Sequence, residues 1–177
     1  KDFQLPVDSA VVGDANAHPG PIALTKEGCA IVIRSVHTTR GDAVNHFVYL
    51  NEKGEDKIRI RLKEKAFPRF LLYSEKSSQF VLSFKGAEAR QQFVTAENIT
   101  TLAVNALGQQ IWSQSIPVTG TVTDVISLAD GYLIAGNFIS IKDLTGKEVR
   151  VKPGTAECNP YLVKLGERGE VVHVTPV

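Results

Sequence analysis

Three stretches decide how this chain is read: His46-Phe-Val-Tyr-Leu-Asn-Glu-Lys-Gly54, Ile99-Thr-Thr-Leu-Ala-Val-Asn-Ala-Leu-Gly108 and Tyr161-Leu-Val-Lys-Leu-Gly-Glu-Arg-Gly169. In each, apolar and polar residues alternate, the signature of a half-buried β-strand. Each run closes on Lys-Gly, Leu-Gly or Arg-Gly, where glycine supplies turn conformations that other residues reach only with strain. A second alternating run follows at once, so each stretch is one half of a hairpin. The closing glycines at 54, 108 and 169 mark copies of one unit, recurring roughly every 55 to 60 residues.

Working outward, each copy holds four short alternating runs bounded by turn residues. They are residues 22–25, 30–35, 46–50 and 57–63; then 69–73, 80–84, 99–105 and 110–115; then 123–128, 132–138, 161–165 and 171–174. Lys26-Glu-Gly28, Ser77-Ser78 and Ala129-Asp-Gly131 separate the first two runs of each copy, as short hairpin loops do. The second run is the most apolar in every copy, which suits a strand covered on both faces. The expected fold is all-β: three four-stranded antiparallel blade-like repeats at about 21–65, 67–116 and 122–177, together a partial β-propeller. Residues 1–20 read as an N-terminal extension, with 13–20 as loop. Between the second and third runs lie inserts of growing length, at 36–45, 85–98 and 140–160. The last contains its own small hairpin at 141–150, turning at 144–146. Variable loops on a constant scaffold are where binding resides.

Composition excludes several classes of partner. At 177 residues the chain is long enough to bury a substantial core. The 20 basic residues nearly balance the 19 acidic ones, so net charge points to neither nucleic acid nor a membrane surface. No apolar run is long enough to span a bilayer, and the first residues do not read as a signal peptide. The chain holds no Met, as expected of a processed product or an excised piece of a longer chain. Its two cysteines, Cys29 and Cys158, are too few for a disulfide framework and read as free, partly buried thiols.

The stretches Asp130-Gly-Tyr-Leu-Ile-Ala-Gly-Asn137, Asn159-Pro-Tyr-Leu-Val-Lys-Leu165 and Gly169-Glu-Val-Val172 resemble blades of the propeller-like repeat proteins of Bacteroidetes-type bacterial cell envelopes, which share a pattern with quinoprotein-like blades. The resemblance covers nearly all of residues 21–177. Those blades tend to place Trp after the glycine turn, as in Gly108-Gln-Gln-Ile-Trp112; copy one has Ile60 near that position and copy three has His173. The resemblance implies a secreted, periplasmic or cell-surface protein and a binding role, and it specifies architecture rather than chemistry. No cofactor is implied, because no set of cofactor-facing acid and Trp residues repeats. Three blades are fewer than the four to eight that close a ring. Further blades, a second copy completing six, or an open three-sheet arrangement would each account for that, and self-association or a protein partner is expected.

Candidate site residues are few. Lys57, Arg59, Arg61, Lys63 and Lys65 alternate with Ile58, Ile60 and Leu62, so all five cations are expected on one face. Such a strip would suit an anionic glycan; it equally suits an edge strand guarded against edge-to-edge pairing, which its place as fourth strand favours. The inserts offer His37, Arg40 and Asp42 in the first copy and Lys142, Lys147 and Arg150 in the third, a weak ligand-binding set expected along one rim. His18, His37, His46 and His173 show no metal-ligand spacing. No Gly-x-Ser-x-Gly elbow occurs, and Thr145-Gly-Lys147 lacks the first glycine of a phosphate loop. Trp112 reads as packing between repeats. The leading expectation is a non-catalytic binding or scaffolding module; a polysaccharide-active enzyme would need converging carboxylates, and a docking domain would need an exposed apolar face.

Overall fold

The computed structural model describes residues 15–37, 42–63, 67–84, 98–142, 144–150 and 159–177. These residues contain β-strands, turns and no helix. The first sheet is a meander of β1 (Ala15–Thr25), β2 (Gly28–His37), β3 (Ala43–Asn51) and β4 (Asp56–Arg61). The second repeats it with β5 (Pro68–Ser74), β6 (Gln79–Phe84), β7 (Ile99–Asn105) and β8 (Gln110–Ile116). In the third, β9 (Val118–Leu128), β10 (Gly131–Lys142), β12 (Pro160–Gly166) and β13 (Val171–Pro176) take the same places. The short β11 (Glu148–Arg150) folds back on the far end of β10. All pairings are antiparallel.

The turn that identified the repeat has one geometry in all three sheets. Gly54, Gly108 and Gly169 sit at φ of 78°, 76° and 82°, a left-handed conformation that penalises any side chain. Each glycine N–H donates three residues back, to the carbonyls of Asn51, Asn105 and Gly166. Asn51 and Asn105 also close the turn with their side chains. Asn51 Oδ1 accepts from the Lys53 and Glu55 N–H groups, and Asn105 Oδ1 from those of Leu107 and Gln109. Just past each turn the fourth strand carries a bulge at the same place: pairing slips between Tyr49 and Leu50, between Ala103 and Val104, and between Lys164 and Leu165. Lys57, Ile111 and Val172 are the unpaired residues.

Two elements differ from the sequence reading. The first strand begins at Ala15, so residues 15–20 are strand rather than loop. Pro19-Gly-Pro21 is tolerated because β1 is an edge strand, and its register shifts between Pro19 and Ile22. The third sheet likewise starts at Val118, ahead of the expected boundary.

The sheets stack on alternate faces of the middle one. Ala23, Ala30, Val32, Phe47 and Leu62 of the first sheet pack on Leu71, Phe80, Leu82, Phe84, Leu102 and Val104 of the second. The Phe80 ring, fully buried, lies 5.2 Å from Phe47, 5.4 Å from Tyr49 and 4.8 Å from Tyr73. On its opposite face the second sheet offers Val81, Ile99 and Ala103 to Tyr132, Ile134, Tyr161, Val163 and Leu165 of the third. The first strands run side by side, β1 along β5 and β5 along β9.

Candidate functional site

Both sheet-to-sheet contacts follow one rule, and the rule exposes an unfinished surface. The turn glycines of the second and third sheets each rest on the fourth strand of the preceding sheet. A Cβ built on Gly108 would lie 2.9 Å from Ile58 Cγ2, and one on Gly169 would lie 2.3 Å from the Trp112 ring. Ile58 and Trp112 pair with Tyr49 and Ala103, and the third residue of that set is His173, opposite Lys164. Register therefore makes Ile58 the counterpart of Trp112, in place of Ile60. Trp112 is half-buried at the contact, its ring 5.8 Å from Tyr132 and its Nε1 donating to Gln79 Oε1. Between the hairpin turns, Lys26 meets Glu75 at 3.3 Å and Lys76 meets Glu167. Such exposed pairs contribute at most about 1 kcal/mol each and guide register more than they stabilise.

The same rule holds for cross-strand pairs. Ala30–Tyr49 and Val32–Phe47 face the second sheet; Val81–Ala103 and Ser83–Thr101 face the third. The matching pairs of the third sheet are Leu133–Lys164 and Ala135–Leu162. These point away from the second sheet, with Ile126 beside Leu133. Phe47 and Thr101 are fully buried, whereas Leu162, at their position, is 37% exposed and Ile126 is 45% exposed. The opposite end of the stack is closed: Ile31, Ile33, Val48 and Leu50, on the outward face of the first sheet, are all buried. Charges border the open face. Asp130 accepts from Lys164 Nζ at 2.6 Å, and this hydrogen bond holds its carboxyl below the ordinary aspartate range.

The residues named from sequence divide between two places. His37 ends β2 opposite Ala15 and Asp42 is exposed just ahead of β3, both in the first sheet; the His37 side chain and Arg40 lie outside the described residues. Lys142, Lys147 and Arg150 come together on the β10–β11 hairpin, around Glu148. Arg150 Nε lies 2.9 Å from Glu148 Oε1, and its hydrogen bond keeps the Glu148 carboxyl below its usual range. Since the first and third sheets cover opposite faces of the second, the structure places the two sets at separate sheets.

In the basic strip Lys57 is the unpaired residue of the β4 bulge, and Arg59 and Arg61 follow in regular pairing. Those two sit opposite Val48 and His46, while Ile58 and Ile60 turn toward the Gly108 turn. Arg59 is bonded to Asp56 at 2.8 Å. Lys63 is exposed beyond the end of β4, and Lys65 lies outside the described residues.

Sequence reasoning did not single out the open face, nor a groove of about 370 Å³ lined by Arg69 and Phe70 of β5 and Thr121 and Val122 of β9. At the groove's edge Tyr161 donates to the Thr121 carbonyl at 3.2 Å, and burial raises the Tyr161 pKa. Cys29 is a free thiol at the start of β2, and Cys158 falls outside the described residues. Among the described residues, no three His, Cys, Asp or Glu side chains come together as a metal site. Three described aspartates are engaged locally: Asp56 with Arg59, Asp124 with the Val125 N–H, and Asp130 with Lys164. No protein-family model and no curated protein matches the chain.

Proposed function

We propose that this chain is a non-catalytic scaffolding module, an arc of three propeller-like blades that docks a further β-sheet on the outward face of its third sheet. One observation carries the reading. Positions buried by the next sheet at Phe47 and Thr101 recur at Leu162, where the residue stays 37% exposed. Covering what remains exposed of Leu162 and Ile126, about two-fifths of each side chain, would contribute roughly 0.6–1.3 kcal/mol each. The incoming sheet would seat its turn glycine on His173 and lay its first strand along β9, as the second and third sheets do on their predecessors. The resemblance of the strand motifs to envelope repeat proteins supports a secreted or cell-surface setting.

Extending the chain after Val177 with a second copy of residues 67–116 tests this. That copy brings the partner face, Phe80, Leu82, Phe84, Leu102 and Val104, which already packs on the first sheet. The added sheet is expected to resist proteolysis and to unfold with the rest in a single, more stable transition. An appended segment that is cleaved away, leaving the parent transition unchanged, would overturn the proposal.

A further inference from the structure

We infer that two copies of this chain pair through their third-sheet faces into a closed, two-fold dimer. The inference rests on the docking reading above and names the partner as a second copy. Three observations lead to it. First, among the described residues the two ends of the stack differ, and the third-sheet end is the one left partly exposed. A head-to-tail chain of copies would need the outward face of the first sheet, and Ile31, Ile33, Val48 and Leu50 there are already buried. The third-sheet face is therefore the one that a copy can offer, and like faces meeting like faces close after two.

Second, the face carries the positions with which the molecule already meets a neighbouring sheet twice. Its centre is the Ala135–Leu162 pair with Leu133 and Ile126 around it, at positions whose counterparts form the contacts between the first and second sheets and between the second and third. Small and large apolar side chains alternate there, as in the Val81–Ala103 and Val32–Phe47 pairs. Third, the border is of mixed sign. Asp124 and Asp130 stand with Lys164 around the apolar centre, so pairing brings no single-sign repulsion and each copy supplies both partners of an ion pair. Charge of one sign on a self-associating face would oppose it.

Sedimentation velocity and light scattering over micromolar to submillimolar concentration provide the test, on the wild type, Leu162→Lys, Ile126→Lys and the control Leu107→Lys. Leu107 is also an exposed apolar residue, in the turn between β7 and β8. The wild type and Leu107→Lys are expected to reach twice the 19.3 kDa of one chain. Leu162→Lys and Ile126→Lys should weaken association at least tenfold, since the symmetry places two lysines in each interface, while Trp112 fluorescence and circular dichroism stay native. A wild type that is monomeric throughout, or a dimer that both face variants leave intact, overturns the inference. The docking reading fails separately: a monomeric wild type whose extended form still docks its added sheet removes only the dimer.

Discussion

Three glycines with nearly the same backbone conformation but different surroundings allow the stacking to be weighed. Gly108, Gly146 and Gly169 have φ of 76°, 82° and 82°. Replacing each with alanine imposes a similar left-handed strain of about 1–2 kcal/mol, and the loss of unfolded-chain entropy, about 0.4–1 kcal/mol in the opposite sense, is common to all. What differs is the space. Nothing lies within 4 Å of a Cβ at Gly146; at Gly108 the nearest atoms are the Ile60 and Ile58 Cγ2 methyls at 2.8 and 2.9 Å; at Gly169 the Trp112 ring stands at 2.3 Å. A methyl forced into a packed contact is worth about 1–3 kcal/mol of destabilisation, and the rigid indole yields least. Gly146→Ala should therefore lose about 1 kcal/mol, Gly108→Ala about 2 and Gly169→Ala about 3–4 kcal/mol. For a chain of this size the last corresponds to a fall of roughly 10 °C in Tm. Urea unfolding, followed by circular dichroism together with the fluorescence of Trp112, the one tryptophan, gives each value at constant m. Equal losses for Gly169→Ala and Gly146→Ala, within about 0.5 kcal/mol, would refute the claim that the Gly169 turn bears on the second sheet.

Phe80→Ala removes the ring shared by Phe47, Tyr49 and Tyr73, and should cost about 3–5 kcal/mol in the same urea assay. Tyr161→Phe should lose about 1 kcal/mol near neutral pH, from its bond to the Thr121 carbonyl. Its alkaline behaviour is more telling. Burial raises the folded-state pKa, so the unfolded chain gives up this proton first, and wild-type stability should fall as pH rises above about 10; the Phe variant should fall less steeply there. The Asp130 carboxyl, held low chiefly by the Lys164 hydrogen bond, should titrate below 3.8 by NMR and return upward in Lys164→Ala. Its contribution to stability is present above the unfolded pKa and disappears as pH falls through the depressed value.

The twelve principal strands were legible because two local signals coincide: period-2 alternation and glycine where the backbone must turn left-handed. Gly54, Gly108 and Gly169 announce that turn in the sequence, and the small hairpin ending at Arg150 is visible by the same chemistry. The bulges at Lys57, Ile111 and Val172 were not legible, since an extra residue on one strand changes pairing without changing composition. Ile58, by contrast, was countable: it follows Gly54 by four residues, as Trp112 follows Gly108 and His173 follows Gly169. The start of β1 was hidden by Pro19 and Pro21, which read as loop until the strand is known to lie at an edge. The open face was harder still. Leu133, Ala135 and Leu162 look like any core alternation, and only stacking order reveals that nothing described covers them. A signal existed in the departures of the third copy, where Lys164 and His173 stand at the places of Tyr49 and Ile58, or Ala103 and Trp112. Polar residues at positions that elsewhere meet the next sheet set this face apart from the other two.

The stacking of equivalent turns on equivalent strands is tested most directly by the NMR signals of Gly169. One of its Hα protons occupies the direction of the Cβ that would lie 2.3 Å from Trp112 Cε3 and 2.5 Å from Cδ2. Strong cross-relaxation to the indole ring protons is expected, with that proton displaced far upfield by the ring current. A Gly169 with ordinary glycine shifts and no contact to Trp112 would contradict the series of stacked sheets on which the open third face depends.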